Sequence, residues 1–277
     1  MSSSVTAVSS LANLHGTIAL AGAGKMGGAM LTGWLAGGLD ASRVIVVEPF
    51  PSDDIKALAA KGVRLNPKDA GAVDTLVMAV KPQTFREAGP ALKSFVGPNT
   101  LVVSIMAGIT IAALEEVCSG MAVRAMPNTP AAIGRGITVA VPAKNVSAAQ
   151  RATADALLRA TGSVEWVEDE NLMDAVTAVS GSGPAYVFLL AEELARAGVE
   201  AGLPAELATK LARETVAGSG ELLHRSEQDS ATLRQNVTSP GGTTAAALEV
   251  LMGKDGMQPL MIRAIAAATK RSKELAK

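Results

Sequence analysis

The residues of this chain best equipped for chemistry are Ser239-Pro240-Gly241-Gly242-Thr243-Thr244, which set two glycines, a proline and three hydroxyls directly before a helix-forming stretch over 245–252. A helix start leaves backbone N–H groups unpaired and carries a partial positive charge, so such a loop can hold a small carboxylate or another anion. Thr244 adds a hydroxyl in or beside the first helical turn, where it can also serve as an N-cap group. A second cradle stands far away in sequence. Gly22-Ala23-Gly24-Lys25-Met26-Gly27 follows a short apolar run and opens a helical pattern, the setting in which G-x-G-x-x-G binds a dinucleotide. The first glycine permits a tight turn, the second lets a pyrophosphate approach the backbone, and the third lets the helix pack on the strand. Glu48 ends the next strand roughly twenty residues on, where a ribose partner is expected.

Further strand exits carry polar or small residues: Val80-Lys81-Pro82-Gln83, Ser104-Ile105-Met106-Ala107-Gly108 and Met126-Pro127-Asn128-Thr129-Pro130. Ligands of open α/β sheets bind at the carboxyl ends of strands, so these three loops read as the wall of a nicotinamide site. Read alone, Lys81 is a solvated charge beside a strand-stopping proline.

The elements that would position these loops alternate. Strands are expected over 17–21, 43–47, 75–80, 101–105, 122–125, 138–142 and 164–167, with helices over 26–37, 55–61, 83–95 and 148–160, which predicts a doubly wound parallel sheet in an α/β, Rossmann-type domain spanning 17–168. After residue 169 the β signals stop. Helices are expected over 172–179, 184–198, 204–223, 243–252 and 259–276, giving an all-α domain over 169–277 whose Ala-rich faces exceed what a lone bundle can cover. A homodimer through these helices is the expected remedy.

Composition narrows the function. The chain has 277 residues, 48% hydrophobic and 18% charged, with a net charge of −1 and 3% aromatic residues, so it lacks both the basic field and the stacking rings of a nucleic-acid binder. One cysteine, Cys118, excludes an internal disulfide. His15 and His224 lie too far apart in sequence to suggest a zinc site, and no metal is expected. Residues 1–16 hold no Lys or Arg and read as a mobile leader rather than a signal peptide; no apolar run is long enough to cross a bilayer. A cytoplasmic protein that binds neither membrane nor nucleic acid is expected.

Taken in order and spacing, Gly22 to Gly27, Val80 to Gln83, Met126 to Pro130, Ser180-Gly181-Ser182-Gly183-Pro184-Ala185-Tyr186 and Ser239 to Thr244 resemble the pyrroline-5-carboxylate reductases, over about 17–277. The last two motifs are the most specific. The resemblance implies a Rossmann-type domain, a helical dimerisation domain with interlocked subunits, and reduction of Δ1-pyrroline-5-carboxylate to L-proline by NADPH or NADH. Position by position, it implies that Ala21, Gly22, Ala23, Gly24, Lys25 and Met26 hold the pyrophosphate and that Glu48 and Pro49 hold the adenosine ribose. Ala79, Val80, Lys81 and Pro82, with Ile105, Met106 and Ala107, would face the nicotinamide. Ser239, Gly241, Gly242, Thr243 and Thr244 would take the substrate, and Glu170 and Glu227 match acidic positions lining its region. Asp69 stands where relatives commonly carry an adenosine-contacting Asn.

Reducing a cyclic imine needs a hydride for carbon and a proton for nitrogen, which demands no histidine, cysteine or metal; Thr244 is the candidate to position that nitrogen or relay its proton, beside its structural alternative as a helix cap. One rival is a β-hydroxyacid dehydrogenase, whose chemistry calls for a basic lysine after the first domain; residues 174–192 contain none. The other is a dinucleotide-binding sensor without turnover, which has no need of a second anion cradle. Glu48 favours NADH over NADPH on charge, with Arg43 and Lys68 as the cations able to offset it.

Overall fold

The computed structural model describes residues 11–275. Its first half runs β1 (Ile18–Ala21), α1 (Lys25–Ala36), β2 (Val44–Val47), α2 (Asp53–Ala59), β3 (Arg64–Leu65), β4 (Thr75–Met78), α3 (Phe85–Leu92), β5 (Leu101–Ser104), α4 (Ile111–Cys118), β6 (Met121–Met126), β7 (Gly136–Pro142), α5 (Ala148–Arg159) and β8 (Gly162–Trp166). The strands form one sheet in the order β3-β2-β1-β4-β5-β6-β7-β8. β1, β2, β4 and β5 are buried along almost their whole length, because helices cover both faces, so their sequences are nearly continuous aliphatic runs. Ile18 and Leu20 join Trp34, Leu157 and Leu158 on one face, while Ala19 and Ala21 join Phe85, Leu114 and Cys118 on the other.

The sheet is the expected Rossmann type with one departure from parallel order. β7 runs antiparallel to β6, since only residues 127–135 connect them and a parallel crossover needs a dozen or more. Two elements of this half went unread in the sequence. β3 is two residues long, and α4 starts at a Thr110 N-cap whose side chain accepts from the Ala113 N–H.

The chain divides into two compact units. The first runs to Gly181 and takes back the chain from Thr269 onward; the second is Ser182–Ala268. This grouping within one chain differs from the boundary expected at 168/169. Residues 170–181 stay with the sheet because Met173 and Ala178 are buried and the Ser272 hydroxyl donates to Asp174 at 2.7 Å. This segment is also not the single helix expected over 172–179: a 3-10 turn, the short α6 (Met173–Val176) and a π-turn (Thr177–Gly181) replace it. The leader needs correction too. Residues 1–10 lie outside the described residues, but Leu11–Asn13 forms a 3-10 turn with Leu11 only 1% exposed and its N–H on the Gly37 carbonyl. Arg43 fastens the same stretch by donating to the Leu14 and Gly16 carbonyls, so 11–16 belongs to the folded unit.

The second unit contains α7 (Gly183–Glu200), α8 (Ala205–Arg225), α9 (Ser230–Asn236), α10 (Thr243–Leu251) and most of α11 (Met257–Leu275). α7 and α8 pack as a hairpin, with Gly198 letting Ala208 come close and Gly202 turning the chain at φ +99°. α9 was not expected; Asp229 starts it by accepting from the Thr232 N–H at 2.8 Å. A single chain leaves much of the unit's apolar surface in water, including Phe188, Leu211, Val250 and Ile262. A surface of that kind marks an interface.

Candidate active site

The register across the sheet lines up Val47, Ala21, Met78, Ser104 and Arg124. The loops that follow the first four strands therefore leave from one rim, on either side of β1, where the strand order reverses. The glycine loop shows three different constraints there. Gly22 has φ +91°, and a Cβ on it would lie 2.6 Å from the Ala79 carbonyl oxygen. A Cβ on Gly27 would press into the Gly22 carbonyl. Gly24 is different: it is the N-cap of α1, has an ordinary φ of −68°, makes no side-chain cap bond, and a Cβ there would meet nothing within 4 Å. Among the described residues no atom crowds position 24, whereas a pyrophosphate resting on the helix start would. The cradle fits a dinucleotide.

Glu48 stands beside that loop. Its carboxylate accepts from the Ala23 N–H at 2.8 Å and from the Phe50 N–H at 3.0 Å. Asn66 braces the Glu48 backbone from both sides, accepting its N–H at 2.8 Å and donating to its carbonyl at 2.9 Å, from a left-handed conformation with φ +47°. Sequence reading missed Asn66; the Asn-Pro pair at 66–67 was the available signal. A cavity of about 810 Å³ opens next to it, lined by Val47, Asn66, Lys68 and Asp69 among others. Asp69, which stands where relatives commonly carry an adenosine-contacting Asn, is on the wall of that cavity. Pro49 and Phe50 lie exposed beyond Glu48.

On the other side of β1, the Ala79 N–H donates to the Ala21 carbonyl at 2.7 Å and the Ile105 N–H to the Met78 carbonyl at 3.0 Å, so both exits continue the ladder past the strand ends. Ala79, Val80 and Pro82 are half-buried and Lys81 exposed; Ile105 and Met106 are buried and Ala107 exposed. The Lys81 carbonyl accepts from both the N–H and the hydroxyl of Thr84, which fixes the turn after β4. Asn128 is structural: its side chain accepts from the Ile137 N–H at 2.9 Å and braces the β6–β7 connection.

Glu170 has partners that the sequence did not reveal. Its carboxylate meets Arg124 of β6 at 2.9 Å and accepts from the Ile111 N–H at the start of α4, also at 2.9 Å. Arg124 is 5% exposed, so this ion pair fastens the 170–181 segment to the sheet just behind the β5–α4 loop. Cys118 is buried against Met78, and desolvation pushes its thiol above the usual range despite the opposing charge of Lys93. It is poorly suited to nucleophilic work.

In the second unit, α10 begins at Thr243 with Gly242 as N-cap and no side-chain cap bond. Gly241 reaches φ +69°, and the Gly242 N–H turns back to the Ser239 carbonyl at 3.0 Å. Thr243, Thr244 and Ala245 thus present first-turn N–H groups without a side-chain partner. Thr244 is not the N-cap, and its hydroxyl makes no hydrogen bond among the described residues. Glu227 is exposed in the α8–α9 connection.

A Rossmann sheet with a glycine cradle at its switch point, followed by a helical unit with an uncapped glycine-led helix, defines the class: a dinucleotide-dependent oxidoreductase with a separate helical domain. Comparison with known proteins is more specific. The family model for pyrroline-5-carboxylate reductase dimerisation matches residues 170–275, and that for NADP oxidoreductase, coenzyme F420-dependent, matches 17–108. The chain is 40% identical to a pyrroline-5-carboxylate reductase of Pseudomonas aeruginosa (94% of this chain, 96% of the relative) and 42% identical to one of Synechocystis (94% and 98%). Among solved structures it is similar to the Coxiella burnetii pyrroline-5-carboxylate reductase, with TM-score 0.86, 36% identity and coverage of 94% and 98%. A Plasmodium falciparum pyrroline carboxylate reductase with NADP bound gives TM-score 0.77 at 29% identity, with the same coverage. The chain belongs to the pyrroline-5-carboxylate reductase family.

Proposed function

We infer that the chain reduces Δ1-pyrroline-5-carboxylate to L-proline with NADPH or NADH and works as a homodimer. The observation that carries this reading is the α10 start: a glycine-led helix with no side-chain cap and a Thr244 hydroxyl without a partner among the described residues, in a chain matched nearly end to end by reductases of this substrate. When bound, the nicotinamide supplies the hydride that forms the new C–H bond at the imine carbon. Gly22, Gly24 and Gly27 leave room for its pyrophosphate, with the adenosine ribose at Glu48 and Pro49 and the adenine toward Asp69. Ala79 to Pro82 and Ile105 to Ala107 form the wall against the reacting ring.

For the substrate, Thr243, Thr244 and Ala245 offer N–H groups to the carboxylate, with Ser239, Gly241 and Gly242 shaping the turn. As the C=N π pair moves onto nitrogen, that atom takes a proton, and Thr244 Oγ1 holds or relays it. Glu227, exposed in the α8–α9 connection, matches one of the acidic positions that line the substrate region in this family. Glu170 acts through Arg124 and α4 in our reading rather than on the substrate. No lysine in 174–192 could serve as the base of a β-hydroxyacid dehydrogenase.

Among the described residues no helix is long and apolar enough to cross a membrane, and we place the activity in the cytoplasm. Cell fractionation checks the location. The reaction is tested by following reduced nicotinamide at its absorbance maximum: oxidation should occur only once pyrroline-5-carboxylate is added. Absence of oxidation with both NADH and NADPH would refute the assignment.

A further inference from the structure

We propose that Glu48 makes this chain selective for NADH over NADPH, by fixing a carboxylate where the extra 2′-phosphate would have to sit. The proposal rests on the reading above that the glycine loop holds a nicotinamide dinucleotide.

Three observations carry it. The first is that the Glu48 carboxylate is held in place. One oxygen accepts from the Ala23 N–H inside the glycine loop and the other from the Phe50 N–H, while Asn66 grips the Glu48 backbone through both its N–H and its carbonyl. A side chain tied on both sides does not swing away to admit an anion. An ionised carboxylate offers about four acceptor positions, so two bonds to the protein leave capacity for both ribose hydroxyls. A 2′-phosphate brings negative charge and no ribose donor at that position.

The second is the charge of the turn that follows β2. The turn after β2 reads Pro49-Phe50-Pro51-Ser52-Asp53-Asp54, with no Lys or Arg and two carboxylates. Ser52 is occupied as the N-cap of α2. Lys56 pairs with Asp53 at 2.8 Å. Arg43, which the sequence left as a compensating cation, has its guanidinium committed to the Gly16 and Leu14 carbonyls.

The third is the neighbouring cavity. Lys68 lines it, but so does Asp69, and among the described residues these two are its charged lining, so together they give the wall no net positive charge. Repulsion between two unit charges about 4 Å apart near a protein surface corresponds to about tenfold to several hundredfold in affinity.

Titration calorimetry on the intact protein tests this without turnover, using 5′-AMP against 2′,5′-ADP and NADH against NADPH. The wild type should bind the ligands lacking the 2′-phosphate at least roughly tenfold more tightly, with the gap narrowing as salt rises. Glu48→Gln keeps an acceptor for the Ala23 N–H but removes the charge, and should shrink the discrimination by roughly tenfold. Phe50→Arg provides a check that does not depend on the clamp, because Phe50 is 91% exposed and contributes only its backbone to Glu48. It should tighten 2′,5′-ADP and NADPH selectively. Equal wild-type affinity for 5′-AMP and 2′,5′-ADP, or a ratio unmoved by both substitutions, overturns the proposal. Discrimination that persists in a protein unable to reduce pyrroline-5-carboxylate would defeat the substrate assignment and leave the role of Glu48 standing.

Discussion

Replacing Thr244 by Ala separates catalysis from helix capping, because the two roles predict different observables. Thr244 is the second residue of α10, Gly242 is the N-cap, and no side chain caps the helix, so the substitution removes no cap bond. Ala is the better helix former, by up to about 0.7 kcal/mol. The melting temperature should therefore stay level or rise slightly. Turnover should move the other way. If the hydroxyl contacts the imine nitrogen, its bond strengthens as hydride arrives and nitrogen becomes basic, so its loss falls on the transition state. Deleting one such donor costs about 2.7–4 kcal/mol in well-studied sites, but Thr244 is only half-buried and water can replace part of the contact. The expected outcome is a kcat lowered by roughly ten- to a thousandfold, with the dissociation constant of reduced nicotinamide unchanged. Thr244→Ser should retain most activity. Steady-state kinetics on pyrroline-5-carboxylate, with a thermal melt of each variant, decide the matter. Ala and Ser variants with the same kcat would show that the hydroxyl takes no part in the chemistry.

The glycine loop should separate by position. Gly24→Ala meets no atom within 4 Å and should leave the melt unchanged while weakening dinucleotide binding at least roughly tenfold, whereas Gly22→Ala and Gly27→Ala run into backbone and should cost about 1–3 kcal/mol or more in denaturant unfolding. Glu170→Ala strands the buried Arg124 guanidinium and frees the Ile111 N–H; because Glu170 keeps 30% exposure, the expected loss is about 1–3 kcal/mol, below the figure for a fully buried pair, and a loss under about 0.5 kcal/mol would remove the clamp from the account. Phe188, 67% exposed in one chain, should sit in the homodimer interface; Phe188→Glu should raise the dimer dissociation constant by tenfold or more in sedimentation, on the order expected for burying an unpaired charge, and an unchanged constant would place the interface elsewhere.

Features that depend on neighbours along the chain can be read from the residues themselves. The parallel strands were legible because helices cover both faces of the sheet, which forces aliphatic runs such as Val44-Ile45-Val46-Val47. The glycine loop and the Ser239 to Thr244 turn were legible for a related reason: positive φ at Gly22 and Gly241, and helix starts without side-chain caps, follow from local residue chemistry. Short elements without a pattern of their own, such as β3 and α9, escaped because two to seven residues hold too little periodicity to stand out. Tertiary structure alone decided which partners the charged residues take. Arg43 turns to carbonyls at 14 and 16 instead of a phosphate, Asn66 reaches back to Glu48, and Glu170 finds Arg124 and Ile111. It also decided that 170–181 stays with the sheet and that β7 reverses. These contacts join residues from 18 to 59 positions apart, and a side chain's charge says only that it needs a partner. Which partner it meets depends on the packed sheet bringing distant segments to one rim.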